Sequence, residues 1–168
     1  TLLWWTLLMA QHPEAALRAQ AEVDAVLQDG TPGPEHLAQL PWLGATLKEA
    51  LRRYPPIAAL MSRRTTAPIT LGGVPVPQGA MLRITPWVLH RDARWFAQPE
   101  QFQPERFLDG APPIPKGAWI PFGLGPRVCI GQHFAMLEMT LLAAMLLQRY
   151  TVRLPVGGAV GAPRFQVT

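Results

Sequence analysis

The sequence predicts a mainly α-helical fold with a small β-sheet. Two stretches carry apolar residues at helical spacing, and two others are apolar on nearly every side, as in buried helices. Between them the period changes to alternation around a Gly-Gly pair, which is typical of a β-hairpin. The chain has 168 residues, of which 49% are hydrophobic, and this is enough for one ordinary domain with a buried core.

Four helices are predicted from these patterns, in order along the chain. Residues 1–10 are expected to be the last turns of a buried helix. A second helix begins at Pro13, a residue favoured at the first helical position, and ends near residue 28. The third covers residues 41–54 and ends at a proline pair, which cannot continue a helix. The fourth, residues 131–149, is apolar on almost every side and is expected to be buried.

The predicted sheet lies between the third and fourth helices. Residues 69–79 read as a hairpin around the glycine pair, and residues 81–85 read as a further short strand. Residues 29–35 are rich in Gly and Pro and are expected to be a loop. Most of residues 90–115 is expected to be irregular. The predicted order is therefore three helices, a small sheet, a long loop and a buried helix.

Both ends of the chain interrupt a pattern. The chain starts within an apolar run without an initiator Met, and its last residues, FQVT, read as a strand that is cut off. We therefore expect residues 1–168 to be part of one longer domain, truncated at both ends, with Trp4 and Trp5 facing missing segments. The apolar run at the start is too short to span a bilayer and lacks the features of a signal peptide.

Composition excludes several classes of protein. The formal net charge is +4, and thirteen of the fifteen cations are arginines that are scattered along the chain, so nucleic acid is not an expected partner. Arginine suits fixed pairing with carboxylates, including those of a ligand. A single cysteine excludes internal disulfides. Many Arg and Ala with few Lys are typical of a GC-rich bacterium, which predicts a cytoplasmic location; a membrane anchor on a missing segment stays open.

The single cysteine lies in the stretch PFGLGPRVCIG, residues 121–131. Its glycines allow the backbone to turn tightly and to approach a large flat group. A helix is predicted to begin just after Cys129, and the free amides there favour a thiolate over a thiol, as does Arg127 two residues before. A lone cysteine is usually a small buried hydrophobe, but these neighbours indicate a metal ligand or a nucleophile.

Three chemistries could use such a thiolate. A zinc site needs about three further ligands, and only His133 is near. A cysteine nucleophile needs a histidine base, which no flanking pattern supplies. An axial ligand of haem needs one thiolate, a close loop and cations for the propionates, and this fits every residue of the stretch. The first two chemistries remain as weaker alternatives.

The stretch resembles the haem-binding signature of the cytochrome P-450 family. The signature has five fixed positions, and this sequence meets them with Phe122, Gly125, Arg127, Cys129 and Gly131. The resemblance implies that Cys129 is the proximal thiolate ligand of haem b, that Arg127 holds a propionate and that Phe122 shields the sulfur, with both glycines at the cofactor. It covers nearly the whole chain and implies the C-terminal portion of the cytochrome P-450 fold.

Two upstream motifs also resemble the family. Glu49 and Arg52 are three residues apart and therefore lie on one helix face, where an ordinary exposed ion pair would be the usual interpretation. The family has a Glu-x-x-Arg pair in this place, and a Pro-Glu-Arg-Phe-like segment that residues 104–107 match. The resemblance implies that Arg106 joins Glu49 and Arg52 in a buried structural network.

Three further segments are interpreted through the same resemblance. Arg63 resembles the second propionate-binding cation of the family, while a solvated strand edge is the alternative for it and for Arg64. Residues 57–61 would pass the haem on its substrate side, and their small and aliphatic side chains suggest an apolar substrate. Residues 90–92 resemble a family pattern that we interpret as structural.

The resemblance implies a haem-thiolate monooxygenase that inserts one oxygen atom of O2 into an apolar organic substrate. Its electron donor would be a ferredoxin, a flavodoxin or a reductase, which could meet Arg91, Arg94 and Lys116 unless these are plain surface charges. Two alternatives stay open: an enzyme of this kind that uses peroxide or rearranges an oxygenated lipid, and a non-catalytic haem sensor. The chain alone is expected to be inactive, because it supplies one side of the haem pocket.

Overall fold

Helices and short strands follow one another in the predicted order in the computed structural model of the chain, which describes residues 1–155. The described residues contain five α-helices: α1 (Leu2–Gln11), α2 (Pro13–Leu27), α3 (Pro41–Arg53), α4 (Pro86–Leu89) and α5 (Gln132–Arg149). Four of these match the predicted helices to within a residue or two. The strand predicted at FQVT lies outside the described residues.

Four short elements were not predicted as helices. They are α4 and three short 3-10 helices, at Pro34–Gln39, Pro104–Phe107 and Gly125–Arg127. Each has a proline in its first turn, where the fixed backbone angle of proline suits a helix. One or two turns are too short to show a periodic pattern, so the sequence could not distinguish these helices from loops.

The strands form two small antiparallel sheets. In one, β2 (Ile69–Leu71) pairs with β3 (Val74–Val76) as the predicted hairpin. Gly72 and Gly73, the two turn residues, both have positive φ angles, 54° and 82°, as a tight hairpin turn requires.

The other sheet pairs two strands that are distant in sequence. In it, β1 (Arg63–Arg64) pairs with β4 (Met81–Leu82), so that Arg63 lies opposite Leu82. The strand predicted over residues 81–85 is therefore only two residues long. Its pairing with β1 brings the backbone of Arg63 into a defined position.

The core lies where α1, α2, α3 and α5 pack against one another. Trp5, Val23, Leu47 and Ala143, one from each helix, are all fully buried. The Trp5 indole N–H donates a hydrogen bond of 2.9 Å to Thr46 Oγ1, and Trp4 stacks on the Tyr54 ring at 4.3 Å between centroids. The expectation that both tryptophans face missing segments is therefore wrong for Trp5, which is fully buried within the chain, and stays a prediction for Trp4, which is only partly buried.

Helix α5 is buried on one face only. Met139, Ala143 and Leu147 lie in the core, whereas Phe134 is 67% exposed and Leu142 is 40% exposed. The prediction of a helix buried on all sides is therefore only half right for this chain. The outer face of α5 is an apolar surface. No helix within the described residues is long and apolar enough to cross a membrane.

Candidate functional site

The cysteine loop, residues 121–131, is folded back on itself immediately before α5. The Cys129 amide donates a hydrogen bond of 2.9 Å to the Phe122 carbonyl, and the Val128 amide donates one of 3.0 Å to the Gly125 carbonyl. The Gln132 amide in turn donates to the Cys129 carbonyl at 3.3 Å, which joins the loop to the first turn of α5. The backbone on both sides of Cys129 is thus held by hydrogen bonds within the loop.

Two glycines of the loop adopt angles that side chains disfavour. Gly123 has φ of 81° and Gly125 has φ of 78°, both in the left-handed region. Gly131 differs, because its φ is −86° and it serves as the N-cap of α5. A Cβ added at Gly131 would lie 4.0 Å from Cys129 Sγ, an ordinary contact distance. The tight turn therefore explains Gly125 but not Gly131.

The free cysteine side chain lies on an apolar surface. Cys129 is exposed, and its neighbour Ile130 is fully exposed. Three further apolar side chains near it in sequence are between 39% and 67% exposed: Leu124, Val128 and Phe134. An exposed apolar surface of this kind marks a place where a ligand or another part of a protein binds.

Two of the sequence-predicted cations share one groove beside the loop. Arg63 comes from β1 and Arg127 from the cysteine loop, and both line a groove of about 540 Å³ whose other lining residues are Leu60, Met61, Phe122, Gly123 and Leu124. Among the residues that the structure describes, the Arg63 guanidinium donates only to the carbonyls of Met61 and Ser62. Within residues 1–155 neither guanidinium forms an ion pair, so both are available to the acidic groups of a ligand.

Glu49 and Arg52 form an ion pair that is completely buried. Arg52 Nε lies 2.7 Å from Glu49 Oε2 and Arg52 Nη2 lies 2.8 Å from Glu49 Oε1, with neither side chain exposed. Arg52 also donates to the carbonyls of His90 and Gln101, and Glu49 accepts from the Gln103 amide at 2.9 Å. The alternative of an ordinary exposed pair is therefore wrong.

Arg106 lies beside this pair, as the resemblance implied. Its Nε is 3.8 Å from Glu49 Oε1, and its Nη2 donates to the carbonyls of Ala97 and Gln98. Burial lowers the pKa of the Arg106 guanidinium from its ordinary value, while the Glu49 carboxylate acts in the opposite direction. One carboxylate therefore lies between two guanidiniums.

His90 forms buried hydrogen bonds with two distant segments, which the sequence did not indicate. The ring is fully buried, and its Nε2 accepts a hydrogen bond of 2.9 Å from the Ile120 amide. The His90 carbonyl accepts from Arg52 Nη1 at 2.7 Å. Burial, followed by the charges of Arg52 and Arg91, lowers the pKa of His90 to about 4. No local pattern could have revealed this role, because the partners lie 30 and 38 residues away.

The three cations that might face an electron donor have different surroundings. The Arg91 guanidinium lies 3.3 Å from the centre of the Trp87 ring and pairs with Glu100 at 3.2 Å, so it belongs to the packed structure. Arg94 is largely exposed and pairs with Asp92, which lowers the pKa of that carboxyl to about 2. Lys116 is exposed. Arg94 and Lys116 therefore remain as surface cations, and Arg91 does not.

A metal site built from several side chains is not found in the described part of the chain. Residues 1–155 contain no group of three or more His, Cys, Asp or Glu side chains that could hold a metal ion. The zinc alternative therefore has no ligand set there. A thiolate that supplies a single axial ligand does not require such a group.

Comparisons with known proteins agree with the fold. The family model for cytochrome P-450 matches residues 1–163. The chain is 44% identical over 158 residues to cytochrome P-450 734A6 of Oryza sativa subsp. japonica, covering 91% of this chain and 29% of that protein. It is 38% identical over 168 residues to cyclooctatin synthase of Streptomyces melanosporofaciens, covering 99% of this chain and 36% of that protein.

A solved structure gives the same result at the level of the fold. A zebra fish cytochrome P-450 structure with abiraterone superposes with a TM-score of 0.79 and 37% sequence identity, covering 88% of this chain and 34% of that chain. The chain therefore belongs to the cytochrome P-450 family, and the predicted fold class is confirmed. It spans about a third of the length of the curated relatives described above.

Proposed function

We propose that this chain is the C-terminal third of a haem-thiolate monooxygenase, in which Cys129 is the axial ligand of haem b. The observation that carries the proposal is the exposed Cys129, held by a hydrogen-bonded glycine loop on an apolar surface. Family membership and the monooxygenase named among its relatives support it. That relative, cyclooctat-9-en-7-ol 5-monooxygenase of Streptomyces melanosporofaciens, is 40% identical to this chain over 153 residues.

The residues around the loop fit haem in three respects. The apolar side chains beside Cys129 match the flat hydrophobic face of a porphyrin. Arg63 and Arg127 lie in one groove without carboxylate partners in the described residues, so they can bind the two propionates. The positive φ angles of Gly123 and Gly125 allow the backbone to turn without bulky side chains in the way.

Each of these residues has a defined task in the proposed enzyme. When bound, the haem supplies the oxygen chemistry, and a thiolate ligand favours O–O cleavage by donating electron density. The Cys129 thiolate would hold the iron, Phe122 would shield the sulfur from water, and Arg127 with Arg63 would orient the cofactor. Residues 57–61, which precede β1, offer aliphatic side chains to an apolar substrate. Lys116 offers positive charge to an acidic electron donor, whereas the charge of Arg94 is already paired with Asp92.

The test is a spectrum of the full-length haem protein that carries this chain. After reduction and addition of carbon monoxide, the native protein is expected to show the long-wavelength Soret band of a haem with a thiolate in the trans position. Cys129→Ser should abolish that band, and Cys129→His should replace it with a band at the normal position. A normal-position band in the native protein, unchanged in Cys129→Ser, would refute the proposal.

Turnover distinguishes the monooxygenase from the other functions of this class. Substrate oxidation should depend on a reductase or ferredoxin and on O2. Turnover with hydrogen peroxide alone would favour the peroxide-using alternative, and haem binding without any consumption of reductant would favour a sensor. The 168-residue chain by itself should show no turnover, because apolar residues such as Ile130 and Phe134 are exposed where the rest of the enzyme would cover them.

A further inference from the structure

His90 lies between the buried ion pair and the cysteine loop and contacts both. It follows the last residue of α4, and its carbonyl accepts a hydrogen bond of 2.7 Å from Arg52 Nη1. Its ring Nε2 accepts a hydrogen bond of 2.9 Å from the Ile120 amide. A single buried residue thus joins the Glu49–Arg52 pair to the backbone that leads into the cysteine loop.

The Ile120 amide needs this acceptor. Ile120 is only 5% exposed, so an unpaired amide there would be costly. The Ile120 carbonyl accepts from the Gly123 amide at 3.1 Å, and the Phe122 carbonyl accepts from the Cys129 amide at 2.9 Å. Hydrogen bonds therefore run from His90 through Ile120 and Phe122 to the backbone of Cys129.

The bond requires the neutral form of the His90 ring. Because the Ile120 amide donates to Nε2, the single ring proton must lie on Nδ1, which is buried. Nδ1 makes no hydrogen bond of ordinary geometry within the described residues, but the backbone of Arg52 lies close enough to raise the ring pKa and partly offset the effect of burial. The charged groups that face the ring are Arg52 of α3 and Arg91 of the segment after α4. Both are cations, and their charges disfavour a positive charge on the His90 ring. The Phe96 ring packs edge-on against the His90 ring, with 6.3 Å between the two ring centroids.

We propose that His90 is a positioning residue for the haem ligand, whose neutral ring fixes the Ile120 amide and so holds the cysteine loop against the Glu49–Arg52 pair. This inference rests on the proposed function, because it assigns the loop the task of holding Cys129 at the iron. It goes further in naming a residue that does not touch the cofactor.

Two variants separate the hydrogen bond from the packing of the ring. In His90→Gln the carboxamide oxygen can accept a hydrogen bond at a similar reach, whereas His90→Leu fills similar space without an acceptor. In the full-length haem protein, His90→Leu should raise hydrogen exchange at the Ile120 amide by roughly tenfold. It should also increase the fraction of the reduced carbon monoxide complex that shows the normal-position band. His90→Gln should stay near the native protein in both measurements.

Either of two results would overturn the inference. One is a His90→Leu protein with native exchange at Ile120 and a native spectrum. The other is a His90→Gln protein as impaired as His90→Leu, which would assign the effect to the shape of the ring. If the native protein itself lacks the thiolate-type band, the proposed function fails instead, and the exchange measurement still tests the His90–Ile120 bond.

Acidification tests the hydrogen bond between His90 and Ile120 in the native protein, whose core is intact. Below a pH of about 4 the ring gains a second proton, so that Nε2 becomes a donor that faces the Ile120 donor. Protection of the Ile120 amide, measured relative to neighbouring amides, should fall through this range in the native protein and not in His90→Gln. Equal behaviour of the two proteins through this range would contradict the inference.

Discussion

Glu49 and Arg52 form a bidentate ion pair, with distances of 2.7 and 2.8 Å, in which neither side chain is exposed to solvent. Taking two charges out of water is costly, and the mutual attraction offsets this cost only when the remaining hydrogen bonds are made. The carbonyls of His90 and Gln101 and the amide of Gln103 make them here. The pair is therefore sensitive to the loss of either partner.

Removal of the Glu49 charge tests this sensitivity. Glu49→Gln should lower the free energy of unfolding of the full-length protein by about 3–5 kcal/mol, because it leaves the buried Arg52 guanidinium without a counter-charge and removes one of the two carboxylates that act on Arg106. Urea unfolding of the haem protein measures the change. Glu105→Gln, at an exposed position, should change stability by no more than about 0.5 kcal/mol. Equal midpoints for the two variants would contradict the prediction.

The hydrogen bond between Trp5 and Thr46 gives a test in the core that is independent of haem. Thr46→Val keeps the shape of the side chain but leaves the buried Trp5 N–H without an acceptor, at a cost of about 1–3 kcal/mol. Thr46→Ser keeps the hydroxyl and serves as the control. Thermal unfolding measures both variants. The prediction does not hold if serine destabilises the protein more than valine does.

The two signature glycines should respond differently to alanine. Gly125→Ala forces a side chain into the left-handed region, which costs about 1–2 kcal/mol, and should speed the loss of haem to an excess of a haem-free acceptor protein. Gly131→Ala has an ordinary φ and an ordinary contact with Cys129 Sγ, so haem loss should stay near the native rate. Fast loss from Gly131→Ala would instead support what the resemblance implies, namely that this glycine also lies at the cofactor.

Because Arg63 and Arg127 line one groove, both side chains are expected to help retain haem. Arg127→Ala and Arg63→Ala should each raise the rate of haem loss by roughly tenfold, the value of a charge-assisted hydrogen bond, and the double variant should lose haem faster than either. Arg64→Ala is the matched control, because its guanidinium donates to the Gly79 carbonyl and does not line the groove. A control that loses haem as fast as Arg127→Ala would argue against propionate binding.

The sequence by itself determined the fold class and the position of the cysteine loop. Helical spacing predicted α1, α2, α3 and α5, and the Gly-Gly pair predicted the hairpin, because both signals depend only on neighbouring residues. The five fixed positions from Phe122 to Gly131 are local in the same way. These features could be predicted since a short peptide already carries the backbone preference or the spacing that defines them.

Only the tertiary structure decided which distant groups meet. The hydrogen bond between Trp5 and Thr46 joins residues 41 positions apart, and the one between His90 and Ile120 joins residues 30 positions apart. Neither pair leaves a pattern in the sequence. Whether Glu49 and Arg52 form an exposed or a buried pair is settled by the elements that pack over them. The physical reason is that periodicity reports which face of an element is apolar, while the docking of elements determines which polar atoms on those faces become partners.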